Sequence, residues 1–266
     1  MTLLAAVQMT SGADKAQNLA TATALVRKAA RRGAQFVGLP ENFAWMGPEP
    51  ERDQNAESLE GPTLSALQSL AKELSVTLLA GSILEAGAPG GRLFNTSVLF
   101  GPDGARLGAY RKMHLFDVEV GDGQTYRESA AVAPGTEVVV ANAPFGKVGL
   151  SVCYDLRFPE LYRKHSEAGA VLLTVPAAFT LATGKDHWEV LLRARAIENQ
   201  AYVIAPAQQG RHPKDRMTWG HAMIVDPWGL VTARASEGEG LAMAEFDEAL
   251  LAKVRRNLPA LQHRKL

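Results

Sequence analysis

Short apolar runs bounded by turn residues alternate with amphipathic stretches along the chain, which predicts strands interleaved with helices in an α/β fold. Residues 4–9 and 35–39 read as buried strands. Between them, 14–32 has helical periodicity and stops at Gly33, a residue suited to the left-handed exit from a helix. The next helix falls at 61–74, followed by consecutive strands at 76–84, 93–100 and 105–110. The last two are joined by GPDG, whose Pro and Gly suit a tight turn, so they form a hairpin. Further strands fall at 137–141, 148–152 and 171–175, with a crossover helix over 157–168. The second half repeats this grammar. A helix over 186–199 carries Leu191, Leu192 and Ile197 on its apolar stripe, and strands follow at 201–205, 222–225, 231–233 and 241–246. The DPWG turn from Asp226 to Gly229 repeats the chemistry of GPDG. A last helix covers 247–257, and from about 258 a tail begins, of the kind that packs on a neighbouring subunit in an oligomer.

No Gly-, Ser- or Pro-rich linker, low-complexity tract or short-period repeat divides the 266 residues, so residues 1–266 read as one large α/β domain. Lys plus Arg total 28 and Asp plus Glu total 28, which leaves no net positive charge to condense onto phosphate or an anionic bilayer. Nucleic acid and membrane are therefore poor partners. The apolar start, MTLLAAVQMT, lacks a basic region ahead of it and meets polar residues by Thr10, so the chain reads as cytoplasmic. A single cysteine excludes an internal disulfide and any multi-cysteine metal site.

That cysteine is either a buried inert thiol or a working one. Cys153 lies in KVGLSVCYDLRFPE, where an apolar strand gives way to a helix, so its sulfur sits at the carboxyl end of a strand beside the amides of a helix start. Such amides can lower a thiol pKa and hold a developing oxyanion. The competing reading is a small core hydrophobe. Glu41 ends QFVGLPEN, a strand closed by Pro40, and projects from a strand end in the same way. Unless paired, a carboxylate there has a raised pKa, as a general base for a thiol requires; otherwise it is a solvated acid or a cap. Lys112 in AYRKMHLFD is an ammonium able to stabilise two anions, or one more surface lysine. Glu128 in YRESAAVAPG precedes a Pro-Gly turn and is individually weak. A Cys–His design competes, with His114 and His165 among the six histidines available. No HExxH, CxxC, GxGxxG or GxxxxGK[ST] motif occurs, so neither a metal nor a nucleotide cofactor is expected.

Taken together and in order, LPEN, YRKMHLFD, YRES and SVCYDLRFPE resemble the motifs of the nitrilase, or carbon–nitrogen hydrolase, superfamily. The resemblance covers essentially the whole chain, from AAVQM to the LPALQHRK tail. It implies a four-layer αββα sandwich, with Glu41 as general base, Lys112 as oxyanion stabiliser, Cys153 as nucleophile and Glu128 as the glutamate that positions Lys112. The stretch from His187 to His212 is most similar to the deaminated glutathione amidase branch, which implies cleavage of a small 2-oxo acid amide to 2-oxoglutarate and cysteinylglycine. Omega-amidase chemistry on 2-oxoglutaramate, hydrolysis of an N-carbamoyl amino acid, and a silent binding protein are the alternatives. A 2-oxo acid needs donors for its carboxylate. Arg157 is the first candidate, unless it pairs with Asp155 or Glu160, and Arg211 and His212 are rim contacts. Phe179 and Thr180 are placed to line an acyl pocket, and the Tyr154 N–H to face the oxyanion. The resemblance also implies a homodimer or higher homo-oligomer.

Overall fold

The computed structural model describes residues 2–119 and 125–265. Its first half runs β1 (Thr2–Met9), α1 (Lys15–Arg31), β2 (Phe36–Gly38), α2 (Pro62–Leu74), β3 (Thr77–Glu85), β4 (Phe94–Phe100) and β5 (Arg106–Arg111). A short ribbon follows, β6 (Asp117–Glu119) with β7 (Thr125–Arg127). The second half runs β8 (Val140–Ala143), β9 (Gly146–Leu150), α3 (Pro159–Glu167), β10 (Leu172–Thr174), α4 (Leu181–Asn199), β11 (Tyr202–Ala205), β12 (Ala207–Arg211) and β13 (Met217–Trp219). It closes with β14 (Met223–Val225), β15 (Val231–Arg234), β16 (Gly240–Phe246) and α5 (Glu248–Asn257).

Two sheets result. In one the order is β13-β12-β1-β2-β3-β4-β5, with β16 also on β1; in the other it is β15-β14-β11-β10-β9-β8. The strands β1, β2 and β3 are parallel, as are β9, β10 and β11. Successive side chains of a strand point to opposite faces, and β1 uses both. Leu4 and Ala6 join a core with Leu150, Leu172 and Ile204 of the other sheet, whereas Ala5, Val7 and Met9 pack with Leu25 and Val26 of α1 and Leu67 of α2. Phe36 against Val37, and Leu79 against Leu78, repeat the division. Trp188 and Leu192 of α4, with Tyr162 of α3, cover the far face of the second sheet. The layers are therefore helix, sheet, sheet, helix, the αββα sandwich that the motifs implied.

Several boundaries differ from the sequence pattern. Residues 137–139 fall outside any strand, although the Val139 carbonyl accepts from the Leu150 N–H at 3.1 Å, and the strand there is Val140–Ala143. Helix α4 begins at Leu181 rather than 186. Gly184 looks like a helix breaker, yet it is required by packing: a Cβ there would lie 2.3 Å from the Trp219 side chain. The AQQGR and MTW segments lack an apolar alternation and fall outside the predicted strands, but they pair as β12 and β13. The tail lies on its own subunit, with Gln200 donating to the Leu258 carbonyl and Arg264 paired to Glu167 at 3.0 Å. Among the described residues no helix is long and apolar enough to cross a membrane.

Candidate active site

Four chain segments bring functional groups to the carboxyl ends of the strands. After β2, Pro40 removes a ladder donor and the chain turns away, carrying Glu41 inward to 3% exposure. The turn passes directly over β3: a Cβ on Gly81 would sit 1.8 Å from the Leu39 carbonyl oxygen and 2.4 Å from that of Pro40, so only glycine permits it. After β5, Lys112 is held by its carbonyl, which accepts from the Gly135 N–H at 2.9 Å; a Cβ on Gly135 would strike the Arg111 carbonyl at 2.1 Å. After β9, Cys153 opens a short 3-10 turn with φ of 49°, a left-handed conformation that costs a non-glycine residue about 1–3 kcal/mol. Its N–H is tied to the Pro176 carbonyl at 3.0 Å.

The four motif residues meet. Lys112 Nζ, 2% exposed, donates to Glu41 Oε1 at 3.0 Å and to both oxygens of Glu128, at 3.1 and 2.8 Å. The second oxygen of Glu41 accepts the Ala178 N–H at 2.9 Å, and the carboxylate interacts electrostatically with the Cys153 thiol. Glu128 Oε2 is fixed in turn by the Phe116 N–H at 2.7 Å. Sequence reasoning missed Asn95, which bridges the two acids by donating to Glu41 at 2.9 Å and Glu128 at 3.1 Å. Its signal was available as a lone amide inside the apolar run LFNTSVLF.

These contacts set the protonation states. Burial raises the Glu41 pKa, but the Lys112 ammonium and then the Arg216 guanidinium reverse this, leaving it below the ordinary carboxylate value. The raised value expected for an unpaired acid thus does not apply. Burial and the Glu41 charge push the Cys153 thiol well above its usual range, outweighing Lys112. The lowered thiol pKa expected from a helix start is not found, because burial and then the adjacent Glu41 charge raise it. Burial lowers the Lys112 pKa, but Glu128 and Glu41 raise it further, so the ammonium persists. At rest the site holds a neutral thiol against an ionised acid.

A cavity of about 220 Å³ opens over this cluster, and Cys153, Tyr154, Phe179 and Thr180 line it. Arg157 does not. It packs its guanidinium over the rings of Tyr154 and Phe179, 5.9 and 5.1 Å from their centroids, beside His187 at 3.3 Å. Its suggested partner Asp155 is engaged by Tyr110 and His114 instead, at 2.8 and 2.7 Å. Arg211 also misses the cavity: it is exposed and paired with Asp215 at 2.7 Å. The arginines that line the cavity are Arg52, Arg127 and Arg216, on loops whose direction a single sequence does not reveal. His212 does not line this cavity, and both its ring nitrogens are used, by the Ser11 carbonyl at 2.8 Å and Thr218 at 2.7 Å. No histidine lines the cavity at Cys153, and His165 is buried on α3 without a hydrogen-bond partner. Among the described residues no group of three or more His, Cys, Asp or Glu side chains is placed to hold a metal ion.

A sandwich of two sheets with a thiol, two glutamates and a lysine converging at its strand ends defines a class of hydrolase acting on carbon–nitrogen bonds. The carbon–nitrogen hydrolase family model matches residues 3–256, and the chain belongs to that family. A deaminated glutathione amidase of Synechocystis sp. is 52% identical over 98% of this chain and 97% of its own length. An omega-amidase of Mus musculus is 41% identical over 98% of the chain and 94% of its own. The crystal structure of the C. elegans NitFhit protein superposes with a TM-score of 0.92 at 37% identity, covering 99% of this chain; this chain spans 65% of that longer protein.

Proposed function

We propose that the protein is an amidase that hydrolyses deaminated glutathione to 2-oxoglutarate and cysteinylglycine, with residues 1–266 acting as one hydrolase domain. The observation that carries this reading is the buried cluster in which Lys112 Nζ lies 3.0 Å from Glu41, and the Glu41 charge is close enough to the Cys153 thiol to raise its pKa. Glu41 takes the thiol proton as sulfur attacks the amide carbonyl. The proton moves in concert with attack, because Glu41 is held below and Cys153 well above its ordinary pKa, so transfer to give a free thiolate beside a protonated Glu41 is disfavoured until the carbon–sulfur bond forms. The oxyanion is held by Lys112 Nζ and the N–H of Tyr154, which at the start of a helical turn has no intrahelical acceptor. Lys112 can supply a hydrogen because two of its contacts go to the single acid Glu128. The carbon–nitrogen bond then breaks and the leaving amine takes the proton from Glu41. Water, deprotonated by Glu41, cleaves the thioester and restores the thiol.

The names of the relatives support two acyl-amide substrates. Turnover of deaminated glutathione, read as cysteinylglycine release, is compared with turnover of 2-oxoglutaramate, read as ammonia release. A large preference for the first is expected; a large preference for the second would reassign the protein as an omega-amidase. We also infer a cytoplasmic homodimer. The free thiol suits a reducing compartment, and Val190 and Ile197, seven residues apart on α4, are exposed, as are Trp228 and Leu230 on either side of Gly229, which lies against Ile197. Sedimentation of a Val190→Glu/Trp228→Glu variant as monomer against wild-type dimer is the expected result, and a monomeric wild type would refute it.

A further inference from the structure

All three N–H groups of Lys112 are taken before the reaction starts. They go to Glu41 Oε1 at 3.0 Å and to the two oxygens of Glu128 at 3.1 and 2.8 Å, so holding an oxyanion requires the ammonium to release one of them. Release strips a donor from one carboxylate while a second carboxylate lies beside it. Asn95, buried on β4, covers that loss. Its side-chain nitrogen donates to the same Glu41 Oε1 at 2.9 Å and the same Glu128 Oε1 at 3.1 Å, so amide and ammonium bridge the two acids in parallel. Glu128 Oε2 has the Phe116 N–H at 2.7 Å. Each carboxylate oxygen that Lys112 can leave therefore retains a donor.

The orientation of the amide follows from its partners. Both are carboxylate oxygens, which accept, so the nitrogen faces them and the carbonyl oxygen faces away. There Oδ1 is buried without a hydrogen-bond partner, which destabilises a strand whose every residue is buried. A residue serving the fold alone would not leave an orphaned carbonyl at such a position. The backbone adds a second tie, because the Asn95 carbonyl accepts from the Lys112 N–H at 2.9 Å and so fixes the spacing of the two bridging residues. We infer that Asn95 is a positioning residue of the oxyanion step, holding Glu41 and Glu128 together when Lys112 turns one hydrogen to the tetrahedral intermediate. The inference rests on the amidase reading above. The other charged and titratable groups acting on Glu41 are Lys112, Arg216 and Cys153, with Glu128 sharing Lys112.

The test sets turnover of deaminated glutathione and of 2-oxoglutaramate beside alkylation of the single cysteine by iodoacetamide, a displacement that uses the thiol and Glu41 but develops no oxyanion. Two variants remove the donor: Asn95→Leu, of similar volume, and Asn95→Val, smaller and suited to a strand. Both should lower kcat on either substrate by about tenfold or more, the worth of one hydrogen bond to a charged group, with KM within about twofold of wild type. Alkylation at pH 8 should fall by no more than about threefold, because at rest Glu41 keeps Lys112 and the Ala178 N–H. The acid limb of kcat should move up by about one pH unit, since the charged form of Glu41 loses a donor. Turnover and alkylation falling in parallel, or an unmoved acid limb, overturn the inference, and wild-type turnover then leaves the amidase reading standing alone. A wild type that is inactive on both substrates while Cys153 still alkylates overturns both.

Discussion

Replacing Gly81 by alanine tests whether backbone packing, rather than the acid alone, creates the base of the site. The added Cβ would meet the Leu39 carbonyl oxygen at 1.8 Å, its carbon at 2.6 Å and the Pro40 oxygen at 2.4 Å. These are backbone atoms and cannot rotate aside, so the 39–42 turn has to withdraw until the oxygen lies at about 3.4 Å, the start of ordinary contact. The turn carries Glu41, and it is fastened to the same part of β3 by the Asn42 N–H donating to Ser82 Oγ at 3.0 Å. A shift of more than about 1 Å moves Glu41 off Lys112, Asn95 and the thiol together. Misplacement of that size costs about a hundredfold in rate. Overpacking adds about 1–3 kcal/mol of destabilisation. Steady-state kinetics and thermal melts separate the two: the variant should remain folded at 25 °C with kcat/KM down by about two orders of magnitude. Activity and melting temperature both equal to wild type would refute the packing argument.

Other consequences concern protons. With Glu41 held below, and Cys153 and Lys112 above, their ordinary ranges, none of these three groups titrates near neutrality. The kcat/KM profile should be flat from about pH 6 to 9 and fall only as Glu41 becomes protonated, below the ordinary carboxylate range; a limb with a midpoint near 7 would indicate a histidine base instead. Burial lowers the His165 pKa from 6.5 to about 4, so the folded protein resists a proton that the unfolded chain accepts. Stability is therefore unaffected by this group above 6.5 and is lost as pH falls from there towards about 4, by roughly 2 kcal/mol at pH 5. His165→Leu should reduce the drop in melting temperature between pH 7.5 and 5 by several degrees. An identical drop in the variant would show that His165 takes up its proton without penalty.

The sequence disclosed the parts of the molecule governed by local pattern. The apolar run of β1, the turn residues of GPDG and DPWG, and the strand-end placement of Glu41, Lys112 and Cys153 are all short-range signals. What it concealed depends on distant packing. Gly184 sits inside α4 because Trp219 leaves no space for a side chain, and β12 pairs although AQQGR has no apolar alternation. Arg157 was favoured for its proximity to Cys153 in sequence, but the 3-10 turn sends it to the outer side of Tyr154 and Phe179, while Arg216, 63 positions beyond the cysteine, reaches the cavity. Asn95 was legible in principle, since an amide in the middle of a buried strand needs partners.

The central claim, that Cys153 forms an acyl-enzyme with the 2-oxo acid portion of the substrate, is tested most directly by rapid quench and intact-mass measurement during turnover of deaminated glutathione. A 2-oxoglutaryl adduct mapping to the peptide that contains Cys153, absent from an inactive Cys153→Ala variant, is the predicted result; undiminished turnover by Cys153→Ala without any adduct would contradict it.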